Sequence, residues 1–142
     1  MRRRRVVLVA AATCSASLAT GCAHVVGFRM PKGAQATAVE AGVQRGYEAH
    51  GDVERCRDFI LTKRQVRLFL DHARVITPRE EHDQFNWAPC VARGKIEWAS
   101  GEARFEIDAA LVGSVVLEDG REVRLGCDGR CERMVHPPAT RP

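Results

Sequence analysis

The residues with most capacity for chemistry are the cysteines and one short acidic run. Cys127-Asp128-Gly129-Arg130-Cys131 brings two thiols close together in the chain. Such a pair can serve as a redox couple, a metal site or a small structural disulfide. Its spacing is not the Cys-x-x-Cys of thioredoxin-like centres, and no second Cys/His pair has zinc-like spacing, so a structural disulfide is expected. Glu80, Glu81, His82 and Asp83 offer metal-ligating atoms, but adjacent polar residues more often form a solvated turn. Nucleophiles are scarce: after residue 22 the serines are Ser100 and Ser114, neither in a Gly-x-Ser-x-Gly elbow. Neither a phosphate-cradling Gly-x-x-x-x-Gly-Lys nor a His-Glu-x-x-His occurs. The expectation is a non-catalytic interaction module, not an enzyme, with no cofactor or metal site; the alternative is a ligand-, metal- or redox-handling accessory protein using the Cys127–Cys131 turn or the 80–87 loop.

The N-terminus carries an address. Met1 to Arg5 is a basic start, Val6 to Ala12 an apolar run, and Thr13 to Gly21 a stretch of mostly small residues. That order is the pattern of a secretory signal peptide, and the apolar run is far short of the roughly 20 residues of a spanning helix. Leu18-Ala19-Thr20-Gly21-Cys22 resembles the lipobox of bacterial lipoprotein precursors, with Leu18 one place further from the cysteine than is usual. The resemblance covers residues 1–22 and implies removal of the signal peptide 1–21 and lipidation of Cys22. With Ala23 rather than Asp in the next position, it also implies the outer membrane, facing the periplasm. The expected partners are the membrane, through the lipid on Cys22, and an envelope protein.

Two cysteines are then spoken for: Cys14 leaves with the signal and Cys22 takes the lipid. Cys56, Cys90, Cys127 and Cys131 remain, an even set in an exported chain, with three possible connectivities. We favour Cys56–Cys90 and Cys127–Cys131, the second closed by an Asp128-Gly129 turn.

Processing also removes the apparent basic character. The full chain is formally +4, but four of its arginines lie at positions 2–5. Without them eighteen basic residues face eighteen acidic ones, which argues against a nucleic-acid partner. The mature length allows one domain. Residues 22–52, rich in glycine and poor in large apolar side chains, are expected to be the lipidated cysteine and a tether with a reach on the order of 30 Å. Val39, Val43 and Tyr47 allow a short helix over 35–49 within it. Residues 53–131 are the expected folded domain, and 132–142, with Pro137, Pro138 and Pro142, a disordered tail.

Within the domain, Glu54 to Leu61 reads as extended. A helix follows: Thr62 and Gln65 fit a capping box, Leu61 and Val66 a hydrophobic staple, and Val66, Phe69, Leu70 and Ala73 one buried stripe. Lys63 and Arg64 have the wrong sign for a helix N-terminus. Pro78 stops the helix by Thr77. Residues 78–89 form a loop carrying Phe85 and Trp87. Those rings either plug the open end of the sheet over Cys56–Cys90 or anchor a protein partner. From Cys90 the apolar period becomes two: Ile96 and Trp98, then Phe105, Ile107, Ala109 and Leu111, then Val115 and Leu117, and Val123 and Leu125 after a type I′ hairpin at Asp119-Gly120. The fold class is α+β, one helix packed on a four- to five-stranded antiparallel sheet in the order β-α-β-β-β-β. Cystatin-like folds share this order of elements, an analogy that carries no function.

Overall fold

The computed structural model describes residues 28–136. Among the described residues the fold is α+β, built on one antiparallel sheet of six strands: β1 (Gln35–Val43), β2 (Arg74–Val75), β3 (Cys90–Trp98), β4 (Gly101–Asp108), β5 (Val112–Leu117) and β6 (Glu122–Gly126), in the spatial order β1-β3-β4-β5-β6-β2. The expected signal peptide, Cys22 and the last six residues of the expected tail lie outside the described residues.

The main helix expected from the sequence is α2 (Lys63–His72). Its capping box forms: Gln65 N–H donates to Thr62 Oγ1 at 3.2 Å, and Thr62 N–H to Gln65 Oε1 at 2.9 Å. Val66, Phe69 and Leu70 are buried on its inner face, with Leu61 buried just before the cap. The helix ends at Ala73, whose extended backbone leads into β2 (Arg74–Val75), paired with β6. Pro78 therefore does not stop α2. It opens α3 (Pro78–Gln84), because Thr77 and Glu80 form a second capping box and proline suits the first helical position. The expected loop at 78–89 is thus helical over more than half its length.

The strands fall close to expectation: β3 (Cys90–Trp98), β4 (Gly101–Asp108), β5 (Val112–Leu117) and β6 (Glu122–Gly126) form an antiparallel meander. At the β5–β6 turn Gly120 has φ 81° while Asp119 stays at negative φ. A type I′ turn needs both residues at positive φ, so the turn is of another type. Gly120 N–H donates to Leu117 O and Leu117 N–H to Arg121 O, each at 2.9 Å, as in a type I turn followed by a glycine bulge. Ala109 and Leu111, expected to continue a strand, instead make the β4–β5 turn, where Leu111 takes φ 61°.

Two expected boundaries are corrected. The tether expected at 22–52 holds a nine-residue strand, β1 (Gln35–Val43), paired antiparallel with β3. Val39 and Val43 share a face in a strand as well as in a helix, so their spacing does not discriminate; pairing with β3 decides. The segment expected to be extended after residue 53 begins in α1 (Asp52–Cys56), so the strand that precedes the main helix is β1. At the other end α4 (Gly129–Val135) runs into the expected tail and buries Val135. Gln65 Nε2 donates to Val135 O at 3.0 Å, fastening α4 to α2.

The core lies between the helices and one face of the sheet. Val66, Phe69 and Leu70 meet Ile96, Phe105, Ile107, Val115 and Leu125, all buried. The disulfides are Cys56–Cys90, with Cα atoms 4.9 Å apart, joining α1 to β3, and Cys127–Cys131, at 5.3 Å, across the start of α4.

Candidate functional site

Strand register places Val91, Arg93, Glu106, Asp108, Val112, Ser114, Glu122 and Arg124 on the sheet face away from the core. Ion pairs lace this face: Arg93 Nε lies 2.5 Å from Glu106 and Lys95 Nζ 3.3 Å from Glu102. Helix α3 and the segment after it rise over one end, leaving a cleft of about 440 Å³ walled by Glu81, His82, Phe85, Trp87, Asp108 and Arg124. Arg124 crosses it to donate to Glu81.

The two aromatic residues singled out from the sequence line this cleft but part company. Phe85 packs on the backbone of Gly126 in β6, with the Arg74 guanidinium 5.3 Å from its ring centre. Trp87 turns towards the end of β1, where its indole N–H donates to Gln44 Oε1 and its ring meets Tyr47, centroids 4.3 Å apart and planes at 46°. Trp87 remains 50% exposed. Phe85, seated on β6, does not plug the sheet over Cys56–Cys90, and Trp87 is a held, half-open ring. Tyr47 is the chain's single tyrosine, and forty positions separate it from Trp87, so nothing local in the sequence could pair them.

Asp108 is the residue the sequence reading missed. It closes β4, is buried, and accepts from Ala110 N–H and Val112 N–H, each at 2.9 Å. Those bonds hold the turn in which Leu111 has left-handed backbone, a conformation costing roughly 1–2 kcal/mol for a residue with a Cβ. An Asp ending a strand before a short link is an Asx-turn signal, and it was legible. Burial pushes the carboxyl up to about 6, against the backbone N–H groups of Val112, Ala110 and Ala88, with Glu81 adding repulsion.

The sign of the consequence follows from linkage. Asp108 binds its proton more tightly folded than unfolded, so this group stabilises the fold fully below about pH 4 and that contribution is lost as pH rises through about 6. Asp108→Asn keeps the acceptor oxygen and cannot ionise. We expect it to be more stable than the parent at pH 7.5 and to lose that advantage by pH 4, measured as urea midpoints at both values. A difference independent of pH would contradict the assignment.

The remaining sequence candidates disperse. Glu80 is held by Thr77 and Arg74, and His82 lies 3.0 Å from Asp83. Hydrogen bonds from Thr77 and Arg74 hold the Glu80 carboxyl below its ordinary range. Among the described residues no group of three or more His, Cys, Asp and Glu side chains is placed to hold a metal, and no serine is hydrogen-bonded to a histidine. Cys127 and Cys131 are both buried. What the site presents is a half-exposed aromatic ring fixed beside a polar cleft.

The chain matches no family model, no curated protein and no solved structure. Among the described residues no helix is long and apolar enough to cross a membrane.

Proposed function

We propose that the protein is a non-catalytic interaction module, anchored in the cell envelope by lipid on Cys22 and engaging an envelope protein through Trp87. The observation that carries this reading is the state of the Trp87 ring: half exposed, yet fixed by Gln44 and Tyr47. A large ring already ordered before binding loses little conformational entropy on contact, which is how aromatic anchors come to dominate interfaces. The lipobox-like Leu18–Cys22 supports the anchor and the signal-peptide boundary, and Ala23 in the next position supports the outer membrane, facing the periplasm. The likeness to cystatin-like folds is one of element order and adds nothing to function.

The test is photo-crosslinking in intact envelopes from a probe at Asn86, comparing the parent with Trp87→Ala. A discrete partner is expected, with its yield falling at least about tenfold in the variant, as for loss of an anchor residue. An unchanged crosslinking pattern, with the variant folded by circular dichroism, would exclude Trp87 as the contact. A second reading, capture of a small ligand in the cleft, draws on the buried Asp108 carboxyl facing it. Loss of ligand on Asp108→Asn without loss of the protein partner on Trp87→Ala would favour it.

A further inference from the structure

The anchoring proposed above has a geometric consequence, because the tether is short. Phe28 and Met30 already pack against the core. Only residues 23–27 separate Cys22 from the packed chain, and six residue steps span at most roughly 20 Å even fully extended. A lipid on Cys22 therefore holds the start of the folded domain beside the bilayer.

What lies there is basic. Arg29 and Lys32 are exposed in the segment before β1. Arg67 of α2 donates through Nη1 to Ala34 O at 2.5 Å, which brings the outer face of α2 alongside that segment. Lys63 and Arg64, four and three places before Arg67, share its side of the helix and are exposed. Asp71, the acid of this helix, is taken by Arg67 at 2.7 Å. Arg29, Lys32, Lys63 and Arg64 make no ion pair among the described residues, although most basic side chains on the polar face of the sheet do. Lys63 and Arg64 also oppose the dipole at the start of α2, whose first turn has no acid. No contact within the described domain accounts for that unfavourable placement, whereas an anionic surface outside it would. The mature chain is neutral overall, so the patch is a local asymmetry.

We propose that Arg29, Lys32, Lys63 and Arg64 form a membrane-apposed face that binds the anionic phospholipid headgroups of the bilayer holding the lipid. This rests on the anchoring reading. The face also sets the orientation of the domain. Gln35, where β1 begins, adjoins it, while Gln44 and Trp87 sit just past the other end of that nine-residue strand, on the order of 27 Å away. Binding through the basic face keeps Trp87 at a strand's length from the anchored end.

The test uses the natively processed protein in nanodiscs of phosphatidylcholine alone or with phosphatidylglycerol. The N-terminal mass first reports whether Cys22 is acylated. Amide exchange over 28–34 and 62–68 is expected to slow in the anionic discs only, and to return to the free rate in 0.5 M salt. Each basic residue near an anionic surface is worth roughly fivefold in partition, so Lys63→Glu/Arg64→Glu should abolish the protection with a melting temperature no lower than the parent's, because acids in the first turn of α2 suit its dipole. Equal exchange in the two disc types, or protection that survives the charge reversal, would overturn the proposal. If Cys22 carries no acyl mass, the anchor reading falls by itself. Vesicle sedimentation of that same protein then decides the face: salt-sensitive binding to anionic vesicles, reduced at least about tenfold by the charge reversal, supports it, and no binding overturns it.

Discussion

Gly94→Ala is expected to unfold β1 from the sheet. Gly94 lies opposite Val39, next to the irregularity where β1 shifts register between Ala36 and Ala38. That bulge swings the Ala38 carbonyl across β3. A Cβ on residue 94 would fall well inside van der Waals contact with the Ala38 oxygen, 2.7 Å from its carbonyl carbon, and 2.8 Å from Cε1 of Phe105 on the other side. The obstruction is backbone, so no rotamer relieves it, and the Phe105 ring belongs to the core. Either β1 leaves or the core opens. We expect a loss of more than about 3 kcal/mol, the range reserved for overpacked or strained buried positions. Urea unfolding gives the magnitude, and amide exchange over residues 35–43 gives the location. Near-parent stability with β1 still protected would show that the bulge does not press on β3 as described.

The two disulfides are expected to differ in the same measurement. Cys56–Cys90 closes a sequence separation of 34 residues and Cys127–Cys131 one of 4. In the chain-entropy account the first removes about 4 kcal/mol of freedom from the unfolded state and the second about 2 kcal/mol. Serine at either pair places hydroxyls at buried positions, since Cys56, Cys127 and Cys131 are all buried, so the difference in loop length should dominate. The Cys56→Ser/Cys90→Ser protein should melt roughly 10 °C below the Cys127→Ser/Cys131→Ser protein. Beyond the entropy, the longer loop runs from the end of α1 through α2, β2 and α3 to the start of β3. Equal melting losses would mean that the unfolded chain is not the state on which these bonds act.

Several elements were readable because their cause is local. The capping box of Thr62 and Gln65 lies within four consecutive residues, and both of its hydrogen bonds form. The alternation along Phe105 and Ile107 places them on the core face because a strand's period does so wherever it is paired. The Thr77–Glu80 box is equally local, and Pro78, which can end one helix, here begins the next. The β1 strand is a different case. Gln35-Ala36-Thr37-Ala38-Val39 has small side chains and one weak apolar period, so nothing in the segment prefers strand over tether. Its conformation comes from the hydrogen bonds β3 offers.

The same division runs through the candidate site. Phe85 and Trp87 stand out by residue type in a short chain, but type could not say that one ring would settle on β6 and the other against Tyr47. Asp108 was one of eighteen acidic residues until the β4–β5 turn closed over it.

By itself the chain of residues determined the α+β class, the principal helix and its cap, and the meander after Cys90. Each depends on interactions between neighbours or on a repeating period, both of which survive in one dimension. Tertiary structure alone decided that residues 35–43 join the sheet and that Trp87 is braced by residues forty positions away. It also brought Arg67 of α2 onto the Ala34 carbonyl, in the segment before β1. Those are outcomes of which strand edge and which helix face come together, and that depends on the whole core being buried at once.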